Sequence, residues 1–171
     1  NYISNYYLKK LNPKAKVLDL ENLMKLKSVK SLDSLQIKKI DLISYDYIIL
    51  PGYLIKQLPN NFIDVFVNTR SFMEMNIETV NFYFSHIHRI INKTGIFYCV
   101  NRYKKKTSGD TIKFKKFPLD ENWSFEISRT SFSQPLIHEA LLRRTSFRNH
   151  KLRKELMRLK PYDIEFFRNL I

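Results

Sequence analysis

Glycine is scarce in this chain of 171 residues: Gly52, Gly95 and Gly109 are its only three. They lie far apart, which excludes a glycine-rich phosphate cradle within the sequence. Cysteine is scarcer still. Cys99 stands alone, so no internal disulfide and no cysteine-based metal cluster can form. It sits inside an apolar run and reads as a buried, inert thiol. No stretch approaches the ~20 apolar residues that a membrane span needs. No signal peptide is visible either, and the expected location is cytoplasmic. The sequence starts at Asn1 rather than Met, as a piece of a longer protein would.

What is present suffices for a domain with a real core. Hydrophobic residues make up 44% and charged residues 27%, the balance of a globular chain rather than a disordered one. The formal net charge is +14. Clustered Lys and Arg release counterions from phosphates, so nucleic acid is one partner to weigh. The lysines are scattered through the chain, however, which favours a solvated basic face. An anionic substrate or a membrane surface would also be drawn to such a charge.

Read in order, residues 2–11 carry apolar groups at helical spacing, and Asn12-Pro13 stops the helix. Residues 16–20 make a short strand. Residues 21–41 hold one short helix and polar connections, and 45–50 form a buried strand closed by Pro51-Gly52. A helical turn over 54–58 follows. Residues 62–68 are a short apolar run rich in β-branched and aromatic residues, which suits a buried strand. Asn76 is a good N-cap for a helix over 77–92, whose inner face is Val80, Tyr83, Phe84, Ile87, Ile90 and Ile91, with Gly95 ending the segment.

A third buried strand covers 96–100. Residues 104–116 form a basic hairpin or loop through Ser108-Gly109-Asp110, and 123–128 alternate as a half-buried antiparallel edge strand. Pro135 opens a helix through Ile137, Ala140, Leu141 and Leu142. A basic helical tail, 145–171, then follows a main domain of 1–144, with Leu152, Leu156 and Leu159 on one side and a last apolar helix after Pro161-Tyr162. Strand, helix, strand alternation implies an α/β fold with right-handed crossovers and a mostly parallel sheet, carrying an antiparallel strand near the C-terminus.

The most informative stretch is the end of the central strand. After Val67 the chain turns abruptly polar, in Asn68-Thr69-Arg70-Ser71, and Glu74 follows. Open α/β sheets bind ligands in the crevice at the carboxyl ends of their strands. Asn68 offers a ligand both a donor and an acceptor. Arg70 suits a carboxylate or phosphate. Glu74 is a candidate general base once desolvated. The structural alternative gives each an ordinary role: Asn68 caps a turn, Arg70 pairs with Glu74 and Ser71 caps a helix.

The histidines are less telling. His86 and His88 are two apart on a helix and point in different directions, so they cannot share a metal. His138, just after Pro135, either faces the cleft or serves as a surface or capping residue. His150 sits among basic residues. Ser71 lacks the flanking glycines of a nucleophile elbow, which argues against a hydrolase.

The run Ile63-Asp64-Val65-Phe66-Val67-Asn68, followed by Ser71-Phe72-Met73-Glu74-Met75, resembles the signature of the sugar O-methyltransferases. The surrounding order resembles that family too: Asn5-Tyr6-Tyr7-Leu8, Leu50-Pro51, Asn101-Arg102-Tyr103, Phe117-Pro118-Leu119-Asp120 to Trp123, and Ser133-Gln134-Pro135 with Ile137-His138-Glu139. The likeness covers most of residues 2–144. It implies a Rossmann-like sheet using S-adenosylmethionine, with 62–68 as the fourth strand and Ser71 to Met75 lining the methyl-transfer cleft.

By the same resemblance, Gly52 and Tyr53 lie near the adenine, Asn68 joins them on the cofactor side, and Arg70, Ser71, Asn101 and Arg102 face the acceptor. Glu74 or His138 would be the base. The expected partner is a sugar or glycan acceptor, in surface glycan synthesis. The family's glycine-rich turn and the acidic residue after its second strand are not found before Asn5, so the sequence resembles the family's C-terminal two-thirds and the fold is expected to be incomplete at the N-terminus. Two other readings compete. One is a nucleic-acid or anionic-polymer module built on 104–116 and 143–160. The other is a vestigial methyltransferase serving as a partner to an active subunit.

Overall fold

The structure is a computed structural model that describes residues 2–28, 30–32, 35–107 and 110–161. It is a mixed α/β protein whose contacts divide it into two units, 1–62 and 63–171.

In the first unit, helix α1 (Tyr2–Leu11) ends where Pro13 requires, and strand β1 (Val17–Asp19) pairs in parallel with β2 (Tyr47–Ile49). Asp19 caps α2 (Leu20–Leu26), its Oδ1 accepting from the Asn22 backbone N–H at 2.9 Å. A four-residue helix, α3 (Lys39–Leu42), precedes β2, and Lys27 reaches Asp41 at 2.8 Å. Leu18, Leu23, Leu35, Leu42 and Leu54 form the unit's core, with Tyr45, Leu50 and Phe62 packed against it. The strand expected to be buried over 45–50 is shorter, and Tyr47 and Ile48 are exposed. The apolar run alone does not distinguish an inner strand from an outer one. The turn expected over 54–58 is present as a 3-10 helix, Gly52–Gln57.

The second unit is built on a four-stranded sheet in the order β3-β4-β8-β7. Strand β3 (Ile63–Thr69) is the strand expected over 62–68, and β4 (Ile91–Arg102) pairs with it in parallel. Strand β3 is neither central nor buried as expected: it stands at the edge of this sheet with Val65 and Val67 exposed, because an apolar run marks a strand without fixing its place among its neighbours. Helix α4 (Ile77–Ile90) connects them. Its N-cap is Asn76, whose Oδ1 accepts from the Thr79 N–H at 2.8 Å. It lays Val80, Phe84, Ile87 and Ile90 on the sheet, with Phe84 5.8 Å from Phe97 and 5.3 Å from Phe117. Phe72 and Trp123 complete this aromatic core.

The helix expected as far as residue 92 ends at Ile90, and β4 begins at once. Gly95 therefore lies inside a strand rather than closing a helix. The reason is a local irregularity. Between Ile63 and Val65 of β3, the partner on β4 moves from Ile91 to Ile96, a bulge that leaves extra β4 residues without partners on β3. A Cβ on Gly95 would stand 2.6 Å from Ile91 Cγ2 and 3.0 Å from the Asp64 carbonyl oxygen, so only glycine fits without movement.

A basic hairpin, β5 (Lys104–Thr107) and β6 (Asp110–Lys113), leaves the end of β4 as expected. Its Ser108-Gly109 turn lies outside the described residues, as do residue 162 onward and the last helix expected there. Strand β7 (Trp123–Ser131) is the antiparallel edge strand anticipated from its alternation.

The helix expected after Pro135 is instead β8 (Gln134–Arg144), antiparallel to both β4 and β7. Its side chains alternate with period two: His138, Ala140 and Leu142 are buried, while Glu139, Leu141 and Arg143 are less so. With β8 a strand, the four-stranded sheet has one parallel pair and two antiparallel ones. The mostly parallel expectation therefore gives way to a mixed sheet. Helix α5 (Leu152–Arg158) buries Leu152 and Leu156 and stays with the second unit.

Candidate functional site

Parallel pairing puts the ends of β3 and β4 side by side, with Asn68 opposite Cys99. Both strands turn polar there. Asn101 is fully buried, and its side-chain amide donates to Asn68 Oδ1 at 3.0 Å and to Cys99 Sγ at 3.2 Å. That bond fixes the orientation of the Asn68 carboxamide. Its own N–H then donates to Ser71 Oγ at 2.5 Å. Ser71 is exposed, at the start of a 3-10 turn, Ser71–Glu74. The result is a chain of amides running from the core to one exposed hydroxyl, whose hydrogen is left to be donated outward.

Asn101 Oδ1 is buried and accepts no hydrogen bond from the described residues. Burial of an unpaired carbonyl of this kind costs about 1–3 kcal/mol, so the sheet holds this amide at some expense. Cys99 is the buried thiol expected, and burial pushes its pKa up to about 12. It is inert as a nucleophile.

Arg70 joins the strand to this turn with φ of 66°, in the left-handed region that non-glycine residues seldom occupy. Its backbone N–H donates to the Val100 carbonyl at 2.7 Å, which extends the parallel pairing by one residue. Its exposed guanidinium makes no ion pair among the described residues, and the pairing with Glu74 considered above does not form. Glu74 pairs with Lys105 of β5 instead, and its side chain stays 59% exposed. Arg102 is also exposed.

His138 lies opposite Asn101 across β4 and β8, but it does not face a cleft. It is 1% exposed, and both ring nitrogens are engaged, Nδ1 with the Tyr103 hydroxyl at 3.0 Å and Nε2 with Ser128 Oγ at 3.2 Å. Tyr103 also bonds Thr130 Oγ1 at 2.7 Å. Burial pushes the imidazole down to about 4, against a weaker pull from Glu139. A neutral, fully bonded ring orders the sheet and is poorly placed to take a proton from a ligand. Sequence reasoning missed this Tyr103–His138–Ser128 network. Its signal was the alternation of 134–144, which sets His138 inward.

The structure thus brings Asn68, Ser71 and Asn101 together, with Arg70 and Glu74 on the same turn. Gly52 and Tyr53 belong to the first unit, and both are exposed. In that unit Asp19 also stands at the carboxyl end of a parallel strand, but both its oxygens are used, by Asn22 and by Asn5 at 3.1 Å. Among the described residues no group of His, Cys, Asp and Glu is arranged to hold a metal ion, and no helix is long and apolar enough to cross a membrane.

No protein-family model matches the chain, and no curated protein does. Two of the solved structures similar to it are the following. One is a Sulfolobus solfataricus protein assigned as a type 11 methyltransferase, 19% identical, with a TM-score of 0.42 over 85% of this chain and 81% of that one. The other comes from work on the conversion of a disulfide bond into a thioacetal group during echinomycin biosynthesis. It is 13% identical, with a TM-score of 0.42 over 91% of this chain and 88% of that one. At that level of agreement neither likeness bears on the chemistry, which rests on the residues themselves.

Proposed function

We propose that this chain carries the acceptor side of an O-methyltransferase that acts on a sugar hydroxyl, in the synthesis of a surface glycan. The observation that carries this reading is the amide chain Asn101–Asn68–Ser71 at the carboxyl ends of a parallel strand pair, within the run that resembles the sugar O-methyltransferases. Crevices at such strand ends are where open α/β sheets hold their ligands.

The methyl donor of this reading is S-adenosylmethionine, which supplies an electrophilic methyl group when bound. The residues of this chain do not fit the whole of it. Its three glycines are too far apart in sequence for a glycine-rich turn, and Asp19, at the end of a parallel strand, is engaged within the fold by Asn5 and Asn22. Gly52 and Tyr53 remain the candidates for the adenine side, and Asn68 keeps the cofactor-side role that the resemblance gives it.

On the acceptor side the roles follow from the bonding. Asn101 is a positioning residue that sets the Asn68 amide. Asn68 fixes Ser71, and the Ser71 hydroxyl donates to a sugar oxygen. Arg70 and Arg102 are exposed cations for further polar contacts. Glu74 is the more open of the two base candidates; it is paired with Lys105 and exposed rather than desolvated, and in this reading the bound acceptor covers it as it takes the proton of the acceptor hydroxyl. Orientation of the hydroxyl is the main contribution, because a near-attack geometry removes much of the entropic barrier.

The test uses the gene product as expressed from its own locus. It is incubated with methyl-labelled S-adenosylmethionine and a panel of monosaccharides and glycans. Label in a sugar methyl ether, lost in Asn68→Ala and Ser71→Ala, supports the reading. Absence of label with every sugar, or full activity in both variants, sinks it.

A further inference from the structure

A cavity of about 260 Å³ lies beside the basic hairpin, and its lining includes Lys104, Lys113, Lys115 and Lys160 together with Tyr103 and Leu159. Among the described residues no carboxylate lines it. None of these four lysines makes an ion pair among the described residues, whereas their neighbour Lys105 pairs with Glu74. Lys113 and Lys115 are half-buried, whereas Lys104 and Lys160 are exposed.

The register adds an independent point. Lys104 and Lys113 stand directly opposite each other across the β5–β6 ladder. Like charges at opposed positions of an antiparallel pair destabilise it. A doubly charged anion between them would turn that repulsion into attraction, with Lys115 and Lys160 completing the cage.

We propose that this cleft binds a phosphate or diphosphate group carried by the sugar acceptor, so that the acceptor is a phosphorylated sugar rather than a free one. The inference rests on the acceptor reading above. The Lys105–Glu74 ion pair ties this hairpin to the turn that carries Ser71, which puts anion cleft and hydroxyl-binding turn on one scaffold. The cleft is half open and, at about 260 Å³, of small-molecule size, unlike the long groove that a nucleic-acid backbone follows.

The experiment titrates the full chain by calorimetry with glucose 1-phosphate, UDP-glucose and a single-stranded oligonucleotide, at about 0.1 M salt, with no methyl donor present. The Lys104→Gln/Lys113→Gln double variant and a Lys9→Gln/Lys10→Gln control on α1 are titrated beside it. The expected result is one-to-one binding of a sugar phosphate, weakened roughly tenfold or more in the hairpin variant and unchanged in the control. The sugar phosphate that binds more tightly tells a monophosphate source from a diphosphate one.

The ligand-free hairpin variant should also unfold at the same or a higher temperature than the unmodified chain, because it loses the like-charge pair. Failure of both sugar phosphates to bind, or binding indifferent to the hairpin lysines, overturns the proposal. So does an oligonucleotide that binds the same lysines more tightly than either. Because no methyl transfer is read, these outcomes are separate from the fate of the transferase reading.

Discussion

The Asn101 side chain donates to Asn68 Oδ1 at 3.0 Å, joining the last buried polar positions of two adjacent parallel strands. Neither amide is oriented by the backbone alone. Asn101 sets Asn68, and Asn68 sets Ser71. The pair should therefore be energetically coupled. A double-mutant cycle of Asn68→Ala and Asn101→Ala in urea unfolding should give a coupling energy of about 1 kcal/mol. Additive effects would mean that the two amides are neighbours without a shared bond.

Arg70 occupies the left-handed region at φ 66°, where an L side chain costs about 1–2 kcal/mol. Arg70→Gly should relieve that cost, and the urea midpoint should rise or hold while any anionic or sugar ligand of the turn binds more weakly. Arg70→Lys keeps the strain and the charge but loses the planar fork. A clear drop in stability for the glycine variant would show that the guanidinium has a structural partner.

His138 should report on folding in acid. Its folded pKa, about 4, lies below the unfolded value near 6.5. Between these two values the unfolded chain binds more protons, so stability rises with pH across that window and is lost as pH falls through it. The contribution is on the order of 3 kcal/mol. Asp41, Asp120 and Glu139, all held below the ordinary carboxylate range in the fold, lose stabilisation in the same direction. The His138→Gln variant isolates the histidine: its stability should fall less steeply than that of the unmodified chain between about pH 6.5 and 4. Equal slopes would show that the imidazole titrates normally.

Gly95 tests the close approach at the irregular start of β4. In Gly95→Ala the new methyl meets Ile91 Cγ2 at 2.6 Å and the Asp64 carbonyl at 3.0 Å. The isoleucine can rotate, but the carbonyl belongs to the neighbouring strand. A loss of about 1–3 kcal/mol is expected in chemical denaturation. A neutral substitution would mean that β3 and β4 separate easily at this end.

Much of the second unit was legible from residues. The Asn76 cap and the alternation after Trp123 each carry a local signal that tertiary packing reinforces, and the apolar run 62–68 marked a strand but not its place at the sheet's edge. The errors share a cause. In 134–144, Ile137, Ala140, Leu141 and Leu142 match a helix face as well as a strand core, and only the neighbours β4 and β7 decide between them. Gly95 looked like a helix end because its real reason, contact with Ile91 and Asp64, is partly long-range. The site was legible in part: the polar turn from Asn68 to Glu74 was visible, and Asn101 joined it through the family resemblance. The bonding that separates a buried His138 from an open Glu74 depends on which face of a strand each occupies.

The most direct test of the central claim follows the side-chain amide signals of Asn68 and Asn101 by NMR in the full chain, during titration with S-adenosylhomocysteine and with methyl glycosides and sugar phosphates. If the carboxyl ends of β3 and β4 are the ligand end, both amides and the backbone signals of Arg70 and Ser71 should move together and saturably with a sugar ligand. If a ligand binds while these signals stay fixed and others move, the site lies elsewhere and the acceptor reading of the Asn101–Asn68–Ser71 chain is wrong.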